Sequence, residues 1–233
     1  MPDPTSWIGY VTTSPLPTTV PQLPPEFVPY IYSRDEVRRL IEATTTREHR
    51  NLSALTCRTL LLLLYATGLR ISEALALRWS DVDWLEGKLK VERGIVCQQV
   101  DDVKTSESRR SLHIDADMLE RLKLWKQSTQ FSGPDDWMFA SPAQLGRLPW
   151  SYDQVWRMYQ KAGAKAGIGG LGTHSLRHTY RSWLDAVGTP IAVQQKLMRH
   201  ADIRTTMNIY GDVVTDEMVH AASKVAGLAL NGR

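Results

Sequence analysis

From Leu52 to Thr67 the chain is apolar over most of a helix, with the run LTCRTLLLLLYAT closed by Gly68. A helix apolar on most of its faces belongs inside a core. Glycine just past its end accepts the left-handed conformation that terminates a helix. Arg58 interrupts the run, which is shorter than the roughly 18 residues of a membrane span. It therefore reads as a buried core helix, and the rest of the chain must pack around it. Leu69-Arg70-Ile71-Ser72-Glu73 follows at once, so Arg70 sits at a helix junction just beyond an apolar wall. A surface arginine paired with Glu73 is the plain reading of that position, and nothing local separates it from an arginine in a working site.

On either side the organisation changes. Residues 1–30 hold eight of the twelve prolines; proline removes backbone donors and blocks helix, which predicts an extended arm or linker. Order is expected from Ser33, where Ser33 and Glu36 form a capping box ahead of Val37, Leu40 and Ile41. Ser72 and Glu73 open a third helix running through Leu77. LKVERGIVCQQV and RRSLHI read as strands of one small sheet, separated by the polar stretch DDVKTSES with Lys104 near its tip. Asp115 caps a helix reaching Thr129, and Tyr152–Gly167 is amphipathic through Val155, Trp156 and Tyr159. GIGGLG then reads as a flexible connection. Thr173 caps a helix that turns Leu176, Tyr180, Trp183 and Leu184 to the core. Pro190 starts another with Ile191, Val193, Leu197 and Met198, a further helix from Asp202 presents Tyr210, and a last one covers 212–230. The expected class is mainly α with a small antiparallel β-sheet.

Composition narrows the function classes. Net charge is +3. Asp3 and Glu26 are the only charges in the first thirty residues, so the remainder carries +5, a mildly basic balance compatible with nucleic acid. Cys57 and Cys97 form neither a disulfide framework nor a metal spacing. No signal peptide or membrane span is visible, and a reducing, cytoplasmic setting is the simplest expectation.

The chemistry concentrates between Thr173 and Tyr210. His174 and Arg177 are three apart and share a helix face; His200 and Tyr210 follow. With Arg70 and Lys104 this set suits a strongly anionic substrate, and a phosphodiester fits it. Arginine's planar fork binds two oxygens of one phosphate and stays charged. Removing one such preorganised donor typically costs on the order of 10²–10³ in rate. A free phenol has a pKa of about 10, so Tyr210 as nucleophile needs cationic neighbours and His174 as base or proton shuttle. Lys104 is the candidate general acid. No cofactor or metal is called for. Each residue also has an ordinary reading: a core histidine for His174 or His178, a core aromatic for Tyr210, a solvated lysine for Lys104.

ATGLRISEALAL, VKTSESRRSL, THSLRHT and LMRHADIRTTMNIY, in that order, resemble the catalytic domain of the tyrosine recombinases, the phage-integrase family. The resemblance runs from about Ser33 to about Leu228 and implies the catalytic-domain fold of that family. It makes Arg70 the first family arginine, Lys104 the β-hairpin lysine, and His174 and Arg177 the HxxR pair. His200 takes the position that hydrogen-bonds the phosphate, Tyr210 is the nucleophile, and Glu73 supports Arg70. It further implies site-specific recombination or integration of double-stranded DNA through a 3′-phosphotyrosyl intermediate. Four protomers would act on two duplexes, with the helix around 212–228 packed on a neighbouring copy, in a cytoplasmic, nucleoid-associated setting without membrane. Glycine commonly precedes the family histidine, so Met198-Arg199 predicts a differently seated loop. Members usually carry an N-terminal DNA-clamping domain. Here the expected organisation is an arm over 1–30 and a catalytic domain over 31–233, with no such clamp. A DNA-binding regulator on the same fold and a type IB topoisomerase-like relaxing activity are the alternatives.

Overall fold

The structure, a computed structural model, describes residues 29–44, 52–102, 110–169 and 172–199. Lys104, His200, Tyr210, most of the proline-rich arm and the helices expected after Asp202 lie outside the described residues. The core helix is present as α2 (Leu52–Thr67), with Leu60, Leu61, Leu63 and Leu64 buried. Each buried leucine is worth about 1.5–3 kcal/mol relative to exposure. Packed around α2 are α1 (Arg34–Ala43), α3 (Ile71–Leu75), α4 (Ala116–Ser128), α5 (Tyr152–Ala166) and α6 (His174–Ala186); α7 (Ile191–Met198) packs on α6.

Local capping chemistry sets most of the helix ends. Ser33 and Glu36 close a reciprocal box on α1, and Ser151 and Gln154 do the same for α5. The Asp115 side chain accepts from the Asp117 amide at 2.9 Å. Gly167 ends α5 in the left-handed region, and the Ile168 amide returns to the Gly163 carbonyl at 2.8 Å. Ile168 is buried, so the glycine-rich connection begins as a pinned helix cap. Thr173 differs from expectation: it precedes α6 but its side chain makes no capping bond, because its backbone is already helical. α3 also shifts, starting at Ile71 and stopping at Leu75, with Arg70 as its extended N-terminal flank.

The sheet region divides where one sheet is expected. β1 (Val82–Asp83), β2 (Lys88–Val91) and β5 (Arg110–His113) form an antiparallel sheet in the order β1-β2-β5, with Lys88 opposite His113 and Val91 opposite Arg110. β3 (Arg93–Val96) and β4 (Gln99–Asp102) form a separate hairpin. The expected continuous strand over 89–100 therefore breaks at Glu92 and reverses at Cys97-Gln98. Both turn residues have positive φ, 50° and 61°, the geometry that matches strand twist in a two-residue hairpin. Neither is the glycine or asparagine that would advertise such a turn. β3 packs on α3, and Arg93 pairs with the buried Asp81 at 2.6 Å, tying the hairpin to the body below it.

Tryptophans fill the far end of the core with their polar edges satisfied. The indole N–H groups of Trp79, Trp125, Trp137 and Trp150 donate to the carbonyls of Phe131, Met138, Arg147 and Ala140 at 2.8–3.1 Å. Trp156, expected on the apolar face of α5, is exposed instead; Val155, Tyr159 and Ala162 make that face. The same reversal occurs beside the site. On α6 the fully buried positions are Leu176, Arg177, Thr179 and Arg181, while Tyr180, Trp183 and Leu184 are half-buried. On α7 it is Gln194 and Met198 that are buried, with Ile191 and Val193 exposed.

Candidate active site

Three backbone segments meet at the C-terminal end of α2: the turn into α3, the first turns of α6, and the end of α7. Gly68 makes the turn, with φ +62°, and a Cβ there would collide with the Tyr180 ring. Only glycine fits both the conformation and the space. The turn delivers Arg70 in extended conformation. Its amide donates to Glu73 Oε2 at 2.9 Å and its Nη1 to Glu73 Oε1 at 2.9 Å. The plain reading of Arg70 as a partner of Glu73 is thus correct as far as it goes. Glu73, however, is 3% exposed, while the Arg70 side chain keeps 40% of its surface open. The carboxylate is a buried anchor, and the guanidinium it holds faces outward.

Arg177 on the second turn of α6 is buried. It donates through Nη1 to the Gly68 carbonyl and through Nη2 to the Met198 carbonyl, joining the ends of α2 and α7. Burial, then the charges of Arg70 and Arg199, push its pKa down to about 9, with Glu73 opposing; it remains a cation at neutral pH. His174 opens α6, and its ring stands edge-on to His178 with 4.8 Å between centroids. The protein packed around it, then His178, Arg177 and Arg70, push its pKa down to about 4. His174 itself is exposed to solvent. The imidazole is neutral at pH 7 and able to accept a proton.

Arg199 is the residue that motif reading passes over. It ends α7 with φ 53° and ψ 41°, a conformation costing a non-glycine residue roughly 1–2 kcal/mol. The backbone therefore makes the turn a glycine would make, with an arginine in it. That side chain is fully buried, and its Nη2 donates to Glu73 Oε2 at 2.6 Å across 126 residues. Burial would raise the Glu73 pKa, but Arg199, the Arg70 amide and then the Arg70 and Arg177 charges reverse this, and it stays below the usual range. Three guanidiniums and one carboxylate leave the cluster at +2.

The structure thus brings Arg70, Glu73, His174 and Arg177 together and adds Gly68 and Arg199 to them. Lys104, His200 and Tyr210 are outside the described residues. Among the described residues, no group of His, Cys, Asp and Glu is placed to hold a metal ion, and no helix is long and apolar enough to cross a membrane.

A model of the phage integrase family matches residues 31–217. The chain belongs to the phage integrase family. This integrase-family chain is 28% identical over 200 residues to the tyrosine recombinase XerA of Pyrococcus furiosus, covering 86% of its own length and 63% of that protein. It spans about three-fifths of the curated relatives it matches. The Tn1549 transposon integrase, solved in complex with transposon right-end DNA, aligns with a TM-score of 0.71 at 17% identity, over 87% of this chain and 67% of that one. The catalytic domain of the bacteriophage HP1 integrase aligns at 0.55 and 22% identity, over 88% of this chain and 98% of the domain. The fold is that of a tyrosine-recombinase catalytic domain, mainly helical with small antiparallel sheets.

Proposed function

We propose that this chain cuts and rejoins DNA at specific sites, with Tyr210 as nucleophile. The observation that carries the reading is the cationic cluster itself. Arg70, Arg177 and Arg199 surround a single carboxylate, with an uncharged imidazole alongside. Arg177 and Arg199 are already out of water, so much of the desolvation a phosphate would impose is met before it arrives. The accessible Arg70 neutralises a non-bridging oxygen, and the buried charge of Arg177 adds to the positive field there. The Tyr210 oxygen attacks phosphorus while its proton passes to His174; the new phosphorus–oxygen bond replaces the bond to the 5′ oxygen, which leaves with a proton from Lys104. His200 hydrogen-bonds the phosphate. Attack of a 5′ hydroxyl on the 3′-phosphotyrosine reverses the step, so rejoining needs no further energy source.

In this reading residues 31–233 are the catalytic domain and 1–30 an arm. The partners are double-stranded DNA and further copies of the chain, a tetramer on DNA linked by exchange of the C-terminal helix. Membership of the integrase family and the DNA-bound state of the Tn1549 integrase support the DNA partner.

The test uses a pool of nicked duplexes randomised through the centre. Wild type is expected to give a detergent-stable protein–DNA adduct that Tyr210→Phe abolishes. Retention without adduct would instead identify a DNA-binding regulator. Duplex binding should weaken with salt by a log–log slope of roughly −0.9 per phosphate contacted.

A further inference from the structure

Arg199 combines two costly features. Its backbone sits in the left-handed region, φ 53°, and its charge is fully buried. Strained conformations persist where the surroundings over-determine them, and a buried ion pair by itself is weak evidence of added stability. Something other than packing is served by having an arginine here.

The hydrogen bonds say what. Glu73 Oε1 accepts from the Arg70 guanidinium; Oε2 accepts from both the Arg70 amide and Arg199 Nη2. Arg199 therefore adds a third bond to the carboxylate that holds half-exposed Arg70, and anchors that pair to the end of α7. Because the Arg199 side chain has no exposed surface, it acts through Glu73 and not on a ligand directly. Its main chain meanwhile follows Met198, whose carbonyl accepts from Arg177. One residue thus links both arginines of the site to the end of α7.

Building on the phosphodiester reading above, we infer that Arg199 is a positioning residue, aiming Arg70 at the reacting phosphate and locking the α3 side of the site to the α6–α7 side. Removing it leaves Glu73 bonded to the Arg70 amide and guanidinium but cuts the bond that ties that pair to the end of α7.

Arg199→Gly is the sharp variant, because glycine adopts this φ without strain and the fold should survive. Adduct formation at saturating nicked-duplex pool is expected to slow between about tenfold and 10²-fold, the scale of a small misplacement of catalytic groups. The DNA dissociation constant should stay near wild type, while the thermal midpoint should fall, because Glu73 loses one of its two buried cationic partners. Arg199→Lys, which keeps the charge against Glu73, should recover part of the rate. In an Arg70→Ala background Arg199→Gly should add nothing further. If wild type forms adduct and Arg199→Gly matches its rate, or if the two substitutions are additive, the inference is overturned. If wild type forms no adduct, it is the cleavage reading that fails. Should Arg199→Gly lose its melting transition, Arg199→Lys carries the test alone: a rate below wild type whose loss is not additive with Arg70→Ala supports the inference, and a wild-type rate or additive losses overturn it.

Discussion

At the corner between α2 and α3, Arg70 is held by a carboxylate three residues away and keeps much of its side chain in solvent. Across the site, Arg177 and Arg199 are buried, held by groups 109 and 126 residues distant. The contrast separates two tasks. A guanidinium that meets an incoming anion must be reachable, and local bonds suffice to keep it on station. The groups that fix its direction must be dry and tied to elements that cannot move independently, which only long-range contacts provide. The cluster is organised as an accessible donor on an inaccessible frame.

Breaking the frame should cost most. Glu73→Gln leaves Arg199 buried without its counter-charge and should destabilise the fold by about 3–5 kcal/mol, read from urea unfolding, with adduct formation lost alongside. Removing the accessible donor should separate the two properties. Arg70→Ala is expected to lower the adduct rate on the order of 10²–10³ while stability falls less than in Glu73→Gln, because the buried carboxylate keeps Arg199 and the Arg70 amide. Comparable loss of stability in both variants would erase the distinction between donor and frame.

The smallest effect concerns His174, which belongs to neither class. Its folded pKa of about 4 lies below the ordinary 6.5, so between those values the unfolded chain binds a proton that the folded chain does not. The stability contributed is complete above about pH 6.5 and is lost as pH falls toward 4. Thermal midpoints measured across that window should decline more in wild type than in His174→Gln. Equal slopes would mean that the cations beside His174 do not restrain its protonation.

How much of this could be read beforehand depends on the range of the interaction. Ser33 and Glu36, Asp115, Ser151 and Gly167 act within one turn, and the helices they bound were legible from the sequence. Leu52–Thr67 was legible because a helix apolar on most sides has nowhere to go but inward. His174 and Arg177 could be paired by spacing, Arg70 and Glu73 were marked by the family resemblance, and the four do converge. The hairpin at Cys97-Gln98 was not legible, since its turn residues carry no conformational preference for positive φ and the strand pairing imposes it. Nor were the faces of α6 and α7, where arginine, threonine and glutamine are buried in place of neighbouring aromatic and aliphatic residues. A polar side chain is buried only where partners from distant segments satisfy it, and hydrophobic periodicity contains no information about those partners.

The amino-acid sequence alone determined the core helix, its glycine stop, the order of the four motifs and an excess of cationic groups matched to an anionic substrate. Only the tertiary structure decided which of those cations face solvent and which form the frame. The Gly68 turn shows the division: its conformation is set by the absence of a side chain, but its carbonyl became a support for Arg177 only when α6 was laid across it. Arg199 shows it more sharply. In sequence it is a departure from an expected glycine; in space it is the second partner of Glu73, because burial of a charge is decided by what the fold brings within reach of it.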